Sequence, residues 1–356
     1  MRPEVRTGRG AVSNMQGRFE HTRSEVIDDG WGTIDEPLPP LETIVQPEPA
    51  RSIIARNRSP DIGFDQSINP YRGCEHGCIY CYARPSHAYL NLSPGLDFET
   101  RLFYKADAAA LLERELAAPS YTCSPITIGA NTDPYQPIER EYRVTRSIIE
   151  VLARFHHPLS IITKSAMVER DIDLLAPMAR DNLVQVFVSV TTLSNEMKRT
   201  LEPRTASPAA RLRTIRKLSE AGIPVGVMVA PVIPVLTDSE LEAILEASVR
   251  AGATSAGYVL LRLPHEVKNL FREWLEANEP LKAKHVMSRM QAMRGGRDYD
   301  SRWSVRQRGE GEYAELLRKR FELGCVRYGL NRGPRFTHNR ELFTPPNAGP
   351  KQFSLL

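Results

Sequence analysis

Three cysteines fall within eight residues. Cys74, Cys78 and Cys81 are spaced C-x3-C-x2-C inside the stretch Ser67 to Tyr82, SINPYRGCEHGCIYCY. The gaps are too short for a relaxed disulfide framework, and the count within the stretch is odd. Thiolates at this density suit a soft-metal site wrapped by one loop. The number of ligands is informative. A structural zinc site wants four closed ligands, whereas a 4Fe–4S cubane held by three cysteines keeps one iron open for chemistry. Gly73 and Gly77 give a tight wrapping loop its backbone freedom. Tyr80, just before the third cysteine, offers a ring that shields a cluster from water. The plainer alternative is a Cys3His zinc site with His76 or His87 as fourth ligand.

The spacing, with an aromatic residue before the last cysteine, resembles the radical S-adenosylmethionine (radical SAM) enzymes. The wording INPYRGCEHGCIYCYAR resembles one branch of them, DNA repair photolyase-like proteins related to spore photoproduct lyase. The resemblance covers roughly Asp65 to Leu263. It implies a 4Fe–4S cluster on Cys74, Cys78 and Cys81, with S-adenosyl-L-methionine chelating the open iron. It further implies reductive cleavage of the sulfonium C5′–S bond and hydrogen abstraction from substrate by a 5′-deoxyadenosyl radical. A reductant such as flavodoxin or ferredoxin is the expected partner. Tyr80 and Tyr82 match a tyrosine pair of the lyase and are the candidate catalytic residues. That family also returns a hydrogen atom from a cysteine after the second strand. Here Asn131 stands at the matching position, so a different, unknown substrate is expected.

A cluster loop must be carried by something rigid. Short β-rich runs recur at Ser67–Asn69, Ile126–Gly129, Leu159–Thr163, Val184–Val190, Val225–Ala230 and Ser255–Leu261. Helical stretches alternate with them, at about Asp107–Ala117, Glu139–Phe155, Val168–Arg180, Pro208–Ala221 and Ser239–Ala251. Several runs are apolar on both faces, as parallel strands covered by helices are. Six βα units predict an α/β fold, a partial (β/α)6 barrel, and the resemblance implies the same architecture. The expected organisation is an N-terminal extension over 1–63 that leans towards disorder, a barrel over 64–265 and a basic, mostly helical region over 266–356. Pro37, Pro39, Pro40, Pro47 and Pro49 punctuate the extension, and Ile53, Ile54 and Phe64 are its candidate latches. Amphipathic helices are expected at Val267–Leu275, His285–Met293 and Tyr313–Phe321.

Ligands of such sheets sit at the C-terminal ends of the strands. After the second run come Gly129 and then Asn131, Thr132 and Asp133, candidate cofactor-binding residues whose oxygens suit an ammonium group. Lys164 follows the third run and calls for an anionic partner, while Ser189 at the end of the fourth turns a hydroxyl to the mouth. The resemblance gives both positions to the cofactor. Glu202 and Arg204 are expected either at the cofactor or as a cap for a helix starting near Ser207.

Composition narrows the setting. A chain of 356 residues with 41% hydrophobic and 25% charged residues builds a real core, and a net charge of +4 makes no strong statement about partners. Five cysteines, three of them clustered, argue against a secreted disulfide scaffold and for a reducing, cytoplasmic setting. The arginine-bearing N-terminus lacks an apolar signal segment. The longest apolar run, Val225 to Leu236, is too short for a membrane span and contains Pro231 and Pro234. Between Arg289 and Arg340, twelve Arg and one Lys face two Asp and four Glu, with aromatics interleaved. That pattern makes a nucleic acid one candidate partner. A zinc-stabilised nucleic-acid-binding module without catalysis is the competing function. Cys123 precedes the second run, at the wrong end for an active site, and Cys325 is expected to be a free thiol.

Overall fold

The computed structural model describes residues 6–20 and 41–346. Its strands in chain order are β1 (Ile44–Pro47), β2 (Ile54–Arg56), β3 (Gln66–Ile68), β4 (Tyr71–Arg72), β5 (Arg101–Tyr104), β6 (Ile126–Ile128), β7 (Leu159–Thr163), β8 (Val184–Ser189), β9 (Val225–Val232) and β10 (Ser255–Leu260). Seven of them form one sheet in the order β10-β9-β8-β7-β6-β3-β2. Each pairing from β3 to β10 is parallel, and β2 is antiparallel at the edge. The six parallel strands are the six expected runs, in sequence order across the sheet. They make the partial barrel, and further helices follow it.

β-branched residues drive this sheet. Val184, Val186 and Val188 of β8 and Val225, Val227 and Val229 of β9 are buried, which suits a pleated surface covered on both faces. The helix Val144–Arg154 lays Ile148, Ile149, Val151 and Leu152 into the core. The single helix expected over Glu139–Phe155 is broken at Arg143, whose φ of 51° is left-handed. The reason is local: the Glu139 carboxylate accepts from the N–H groups of Thr145 (2.9 Å) and Arg146 (3.2 Å), satisfying orphan donors of the second segment. A helix over Asn195–Leu201 was not anticipated. Ser194 starts it by accepting from the Met197 N–H at 3.2 Å.

A second, three-stranded sheet, β1-β5-β4, was also not anticipated. β4 and β5 pair antiparallel, with Tyr71 opposite Tyr104 and Arg72 opposite Phe103. Residues 73–100, which hold the three clustered cysteines, therefore leave and return along one hydrogen-bonded ladder.

Residues 6–20 lie on the barrel, within the stretch expected to lean towards disorder. Arg9 to Val12 are buried, and specific bonds described below hold them. The prolines at 37, 39 and 40 lie outside the described residues. Of the expected latches, Ile53 is buried, and the Glu115 carboxylate accepts from its N–H at 2.5 Å and from that of Ile54 at 3.3 Å. At the other end, helices run over Val267–Asn278, Ala283–Ala292 and Glu312–Tyr328. The last packs on the helix Leu241–Arg250, where Arg320 pairs with Glu242 at 2.6 Å. Among the described residues, no helix is long and apolar enough to cross a membrane.

Candidate metal centre

The cysteine loop is a chain of tight turns. The Gly77 N–H donates to the Cys74 carbonyl, Cys81 to Cys78 and Arg84 to Cys81, each at 3.2 Å. Gly73 has φ of +72°, and a Cβ there would stand 2.9 Å from the Phe98 carbonyl oxygen and 2.6 Å from Leu102. Only glycine fits both the left-handed backbone and that space. Cys74 and Cys78 are buried, and Cys81 is half-buried.

Beneath the loop lies a pin that sequence reasoning missed. Arg84 is fully buried. Its guanidinium donates to the carbonyls of Cys78 (2.9 Å), Gly77 (3.1 Å), Pro94 (3.1 Å) and Gly95 (2.9 Å), and pairs with Glu99 at 2.5 Å. Glu99 also accepts from the N–H groups of Gly10 (3.0 Å) and Ala11 (2.9 Å), while Arg9 donates to the Glu99 carbonyl at 3.0 Å. The N-terminal segment is thereby stitched to the cysteine loop. The only sequence signal was an arginine three residues after the third cysteine.

Burial, Asp133 and the neighbouring thiols push the Cys74 thiol well up, and burial with Glu202 pushes Cys78 up to about 12. Such thiols ionise at neutral pH when a bound metal takes up their charge. Among the described residues, no three His, Cys, Asp or Glu side chains gather closely enough to hold one metal ion. Three cysteines on one loop fit a cluster, in which each cysteine takes its own iron. They do not make the closed tetrahedron of zinc. His76 is instead directed to Asp133, with Nδ1 3.4 Å from its carboxylate, and the Nε2 of His87 lies 2.8 Å from the Arg101 carbonyl oxygen.

Two expected site residues take different parts. Asp133 was expected at the cofactor's ammonium. Its Oδ1 accepts from Thr163 Oγ1 (2.7 Å) and the Tyr135 N–H (2.9 Å), and its Oδ2 from the Lys164 N–H (2.7 Å), with His76 beside it. A carboxylate offers about four lone-pair sites, so protein partners saturate it. Burial pushes Asp133 up, but His76 and these donors hold it down at about 2. It is a positioning residue that ties the end of β6 to β7 and to the cysteine loop. Tyr80 was expected to be catalytic. It is buried, and its hydroxyl donates to the buried Glu202, which also accepts from Thr191 Oγ1 at 2.8 Å and pairs with Arg211. The hydroxyl is thus committed to a buried partner. Glu202 is the C-cap residue of Asn195–Leu201, and the helix Pro208–Glu220 is capped by Ser207. Arg204 pairs with Glu75 and donates to the Gly8 carbonyl at 3.2 Å.

The remaining candidates ring the C-terminal ends of the strands. Lys164 stands with Nζ 5.8 Å from the Tyr80 ring centroid. Burial pulls it down, but Cys78 and Glu202 raise it overall, so it stays cationic. The Ser189 side chain ends β8 with no hydrogen bond to the described residues, while its carbonyl accepts from Arg211 at 3.0 Å. The Thr132 hydroxyl donates to the Tyr71 carbonyl at 2.9 Å. The Asn131 N–H donates to Asn69 Oδ1 at 3.0 Å. Gly129 gives close approach to the Ile162 carbonyl, whose oxygen lies 2.2 Å from where a Cβ would stand. Tyr82 is exposed, its hydroxyl donates to the Ala130 carbonyl, and Arg262 lies over its ring at 4.5 Å.

Part of the basic C-terminal region is neutralised by ion pairs within the chain. Arg302 pairs with Asp300 and Glu310, Arg306 with Asp61, Arg318 with Glu315 and Glu322, and Arg320 with Glu242. The sequence pattern that suggested a nucleic-acid footprint thus serves in part to dock helices.

Comparison with known proteins agrees with this geometry. The profile of the Radical SAM superfamily matches residues 68–247. An uncharacterised protein of Mycobacterium tuberculosis is 41% identical over 231 residues, 64% of this chain and 68% of that protein. One from Methanocaldococcus jannaschii is 29% identical over 173 residues, 49% of this chain and 62% of that protein. Among solved structures, spore photoproduct lyase complexed with dinucleoside spore photoproduct superposes with a TM-score of 0.55 at 16% identity, covering 80% of each chain.

Proposed function

This chain belongs to the radical SAM superfamily, and we propose that it holds its 4Fe–4S cluster on Cys74, Cys78 and Cys81 and acts on a substrate other than spore photoproduct. When bound, the cluster and S-adenosylmethionine supply reductive C–S cleavage and a 5′-deoxyadenosyl radical that removes hydrogen from substrate. The protein binds, orients and excludes water. The observation that carries the reading is the cysteine loop: Cys74, Cys78 and Cys81 on one chain of tight turns at the C-terminal end of β3, two of them buried and one half-buried.

In this reading Arg84 and Glu99 hold the loop's backbone, and Asp133 and His76 tie it to β7. The Tyr80 ring screens it, and Glu202 keeps Tyr80 in place. Lys164 and Ser189, both without protein hydrogen bonds at their side-chain ends, bind the cofactor's carboxylate and ribose. The electron comes from a small reductant such as flavodoxin or ferredoxin.

The substrate differs from that of the lyase because the hydrogen-returning thiol is missing. Asn131 follows β6 at the mouth, and an amide N–H is too strong a bond to give up its hydrogen atom. Cys123 precedes β6, at the far end of the sheet, and cannot substitute. The test is anaerobic reconstitution, followed by assay of 5′-deoxyadenosine with and without spore-photoproduct DNA. About four irons per chain and 5′-deoxyadenosine without repair to thymine are expected. A colourless protein holding stoichiometric zinc overturns the cluster, and multiple-turnover repair overturns the substrate argument.

A further inference from the structure

Two neighbouring arginines, one at the mouth and one buried, have no ion-pair partner among the described residues. Arg262 follows β10, at the same C-terminal end of the sheet as the cysteine loop, and lies over Tyr82. Its Nε is buried without a hydrogen-bond partner. Arg294 has no exposed surface, and its Nε and Nη1 are also buried without partners. Its Nη2 donates to the Leu261 carbonyl at 2.6 Å, which sets its guanidinium against the backbone that carries Arg262. Burial pulls Arg294 down to about 10, and Arg262 lowers it too. Arg294 therefore remains charged at neutral pH.

The acids that might neutralise them are committed elsewhere. Asp300 pairs with Arg302 at 2.7 Å, Asp298 with Arg272 at 2.8 Å, Glu266 with Arg18 at 2.7 Å and Glu310 with Arg302 at 2.9 Å. Among the described residues, neither Arg262 nor Arg294 has a carboxylate within ion-pair distance. A buried and a half-buried cation side by side without partners are costly. The other two arginines with at most 1% exposed surface pair with a carboxylate, Arg84 with Glu99 and Arg211 with Glu202, and the buried Arg9 is held by the Glu99 and Leu41 carbonyls and the Thr43 hydroxyl. Charge not supplied by the chain has to arrive with a ligand.

We propose that Arg262 binds a phosphate of the substrate beside Tyr82 at the barrel mouth, with the fully buried Arg294 behind it adding positive charge to the subsite. Guanidinium forks match phosphate oxygens, and the Tyr82 ring next to them offers a flat apolar face to the group that carries the phosphate. The subsite rests on the proposed function only for its role in catalysis; the binding itself needs no radical chemistry.

The test uses anaerobically reconstituted full-length protein and two variants, Arg262→Gln and Arg294→Gln. Binding of thymidine 5′-monophosphate, of a short labelled single-stranded DNA and of its uncharged methylphosphonate analogue is measured. The expected result is binding of the phosphate-bearing probes that weakens roughly 10- to 100-fold in Arg262→Gln, as for loss of a charge-assisted contact, and less in Arg294→Gln. The methylphosphonate strand should bind equally weakly to all three proteins. Monophosphate binding without strand binding makes the source a nucleotide; binding of both makes it a nucleic acid. Iron content and melting temperature show whether Arg294→Gln folds, and the half-buried Arg262 supplies the second variant. Unchanged affinity in Arg262→Gln overturns the proposal. So does a loss of S-adenosylmethionine affinity in its place, which would assign the pair to the cofactor carboxylate. Failure of the wild type to form 5′-deoxyadenosine would sink the proposed function and leave the binding result standing.

Discussion

Arg84 and Glu99 form an ion pair with no exposed surface on either side chain, directly beneath the cysteine loop. The arginine holds the carbonyls of Gly77 and Cys78, and the glutamate holds the N–H groups of Gly10 and Ala11. Removing one partner strands a charge in the interior and releases the loop at once. Arg84→Ala and Glu99→Ala should each destabilise the protein by about 3–5 kcal/mol. They should also lower the iron retained on reconstitution, though neither residue is a ligand. Chemical denaturation and iron analysis check this. Wild-type iron content with an unchanged unfolding midpoint would show the pin to be dispensable.

The five cysteines should divide sharply. Cys74→Ala, Cys78→Ala and Cys81→Ala each leave a second iron without its thiolate, so the cubane should degrade and 5′-deoxyadenosine formation should stop. Cys123 lies before β6, and Cys325 lies buried on Glu312–Tyr328, accepting from Asn331 Nδ2 at 3.7 Å. Alanine at either position should keep the visible absorbance of the cluster. Full iron and activity in Cys81→Ala would refute the ligand assignment.

What the sequence disclosed and what it hid have a common physical cause. The six parallel strands were legible because valine- and isoleucine-rich runs such as Val184–Val188 mark two-sided burial without reference to distant residues. The cysteines were legible because their spacing is itself local. Arg84, Glu99, Glu202 and Arg211 were not, because a charged residue in a sequence reads as surface until its partner is known. These pairs are separated by 15 and 9 residues. The position of Asp133 at a strand end is readable in sequence, but its partners are not: beyond the nearby Tyr135 N–H, they come from two other segments, Thr163–Lys164 and His76. The small sheet was missed because β4 has two residues, too few for any periodicity.

Stability should fall as the pH is lowered from about 6.5 to about 4. His157 is fully buried, with Nδ1 2.9 Å from the Pro158 carbonyl oxygen and Nε2 2.7 Å from Tyr121 Oη. The carbonyl can only accept, so in the neutral ring Nδ1 carries the proton. Burial lowers the pKa of His157 to about 4, and that of His87 likewise. Below the unfolded value of about 6.5, the unfolded chain binds protons that the folded chain refuses, so acid favours unfolding. Each histidine contributes a slope of at most about 1.4 kcal/mol per pH unit across that window. The loss is complete once the pH passes below the folded value. Denaturation midpoints of wild type and His157→Gln at several pH values check this. Equal slopes in the two proteins would exclude His157 as a source.

The last prediction separates residues that hold the cofactor from those that hold the site. Lys164 and Ser189 end neighbouring strands, β7 and β8, paired in register through Thr163 and Val188. Neither side-chain end bonds to the described protein, and Lys164 stays cationic beside Cys78 and Glu202. Asp133 sits beside them, yet all its acceptor capacity goes to Thr163, Tyr135, Lys164 N–H and His76. Lys164→Ala should therefore weaken S-adenosylmethionine binding about 10- to 100-fold, the worth of one charge-assisted hydrogen bond. Ser189→Ala should weaken it less, and both should keep full iron. Asp133→Ala should do the reverse: its donors lose their acceptor, the loop loosens, and iron content and melting temperature fall first. Equilibrium binding of S-adenosylmethionine, with iron analysis on the same samples, distinguishes the two classes. Unchanged cofactor affinity in both Lys164→Ala and Ser189→Ala would remove them from the cofactor site. An Asp133→Ala protein with full iron and weakened cofactor binding would return Asp133 to it.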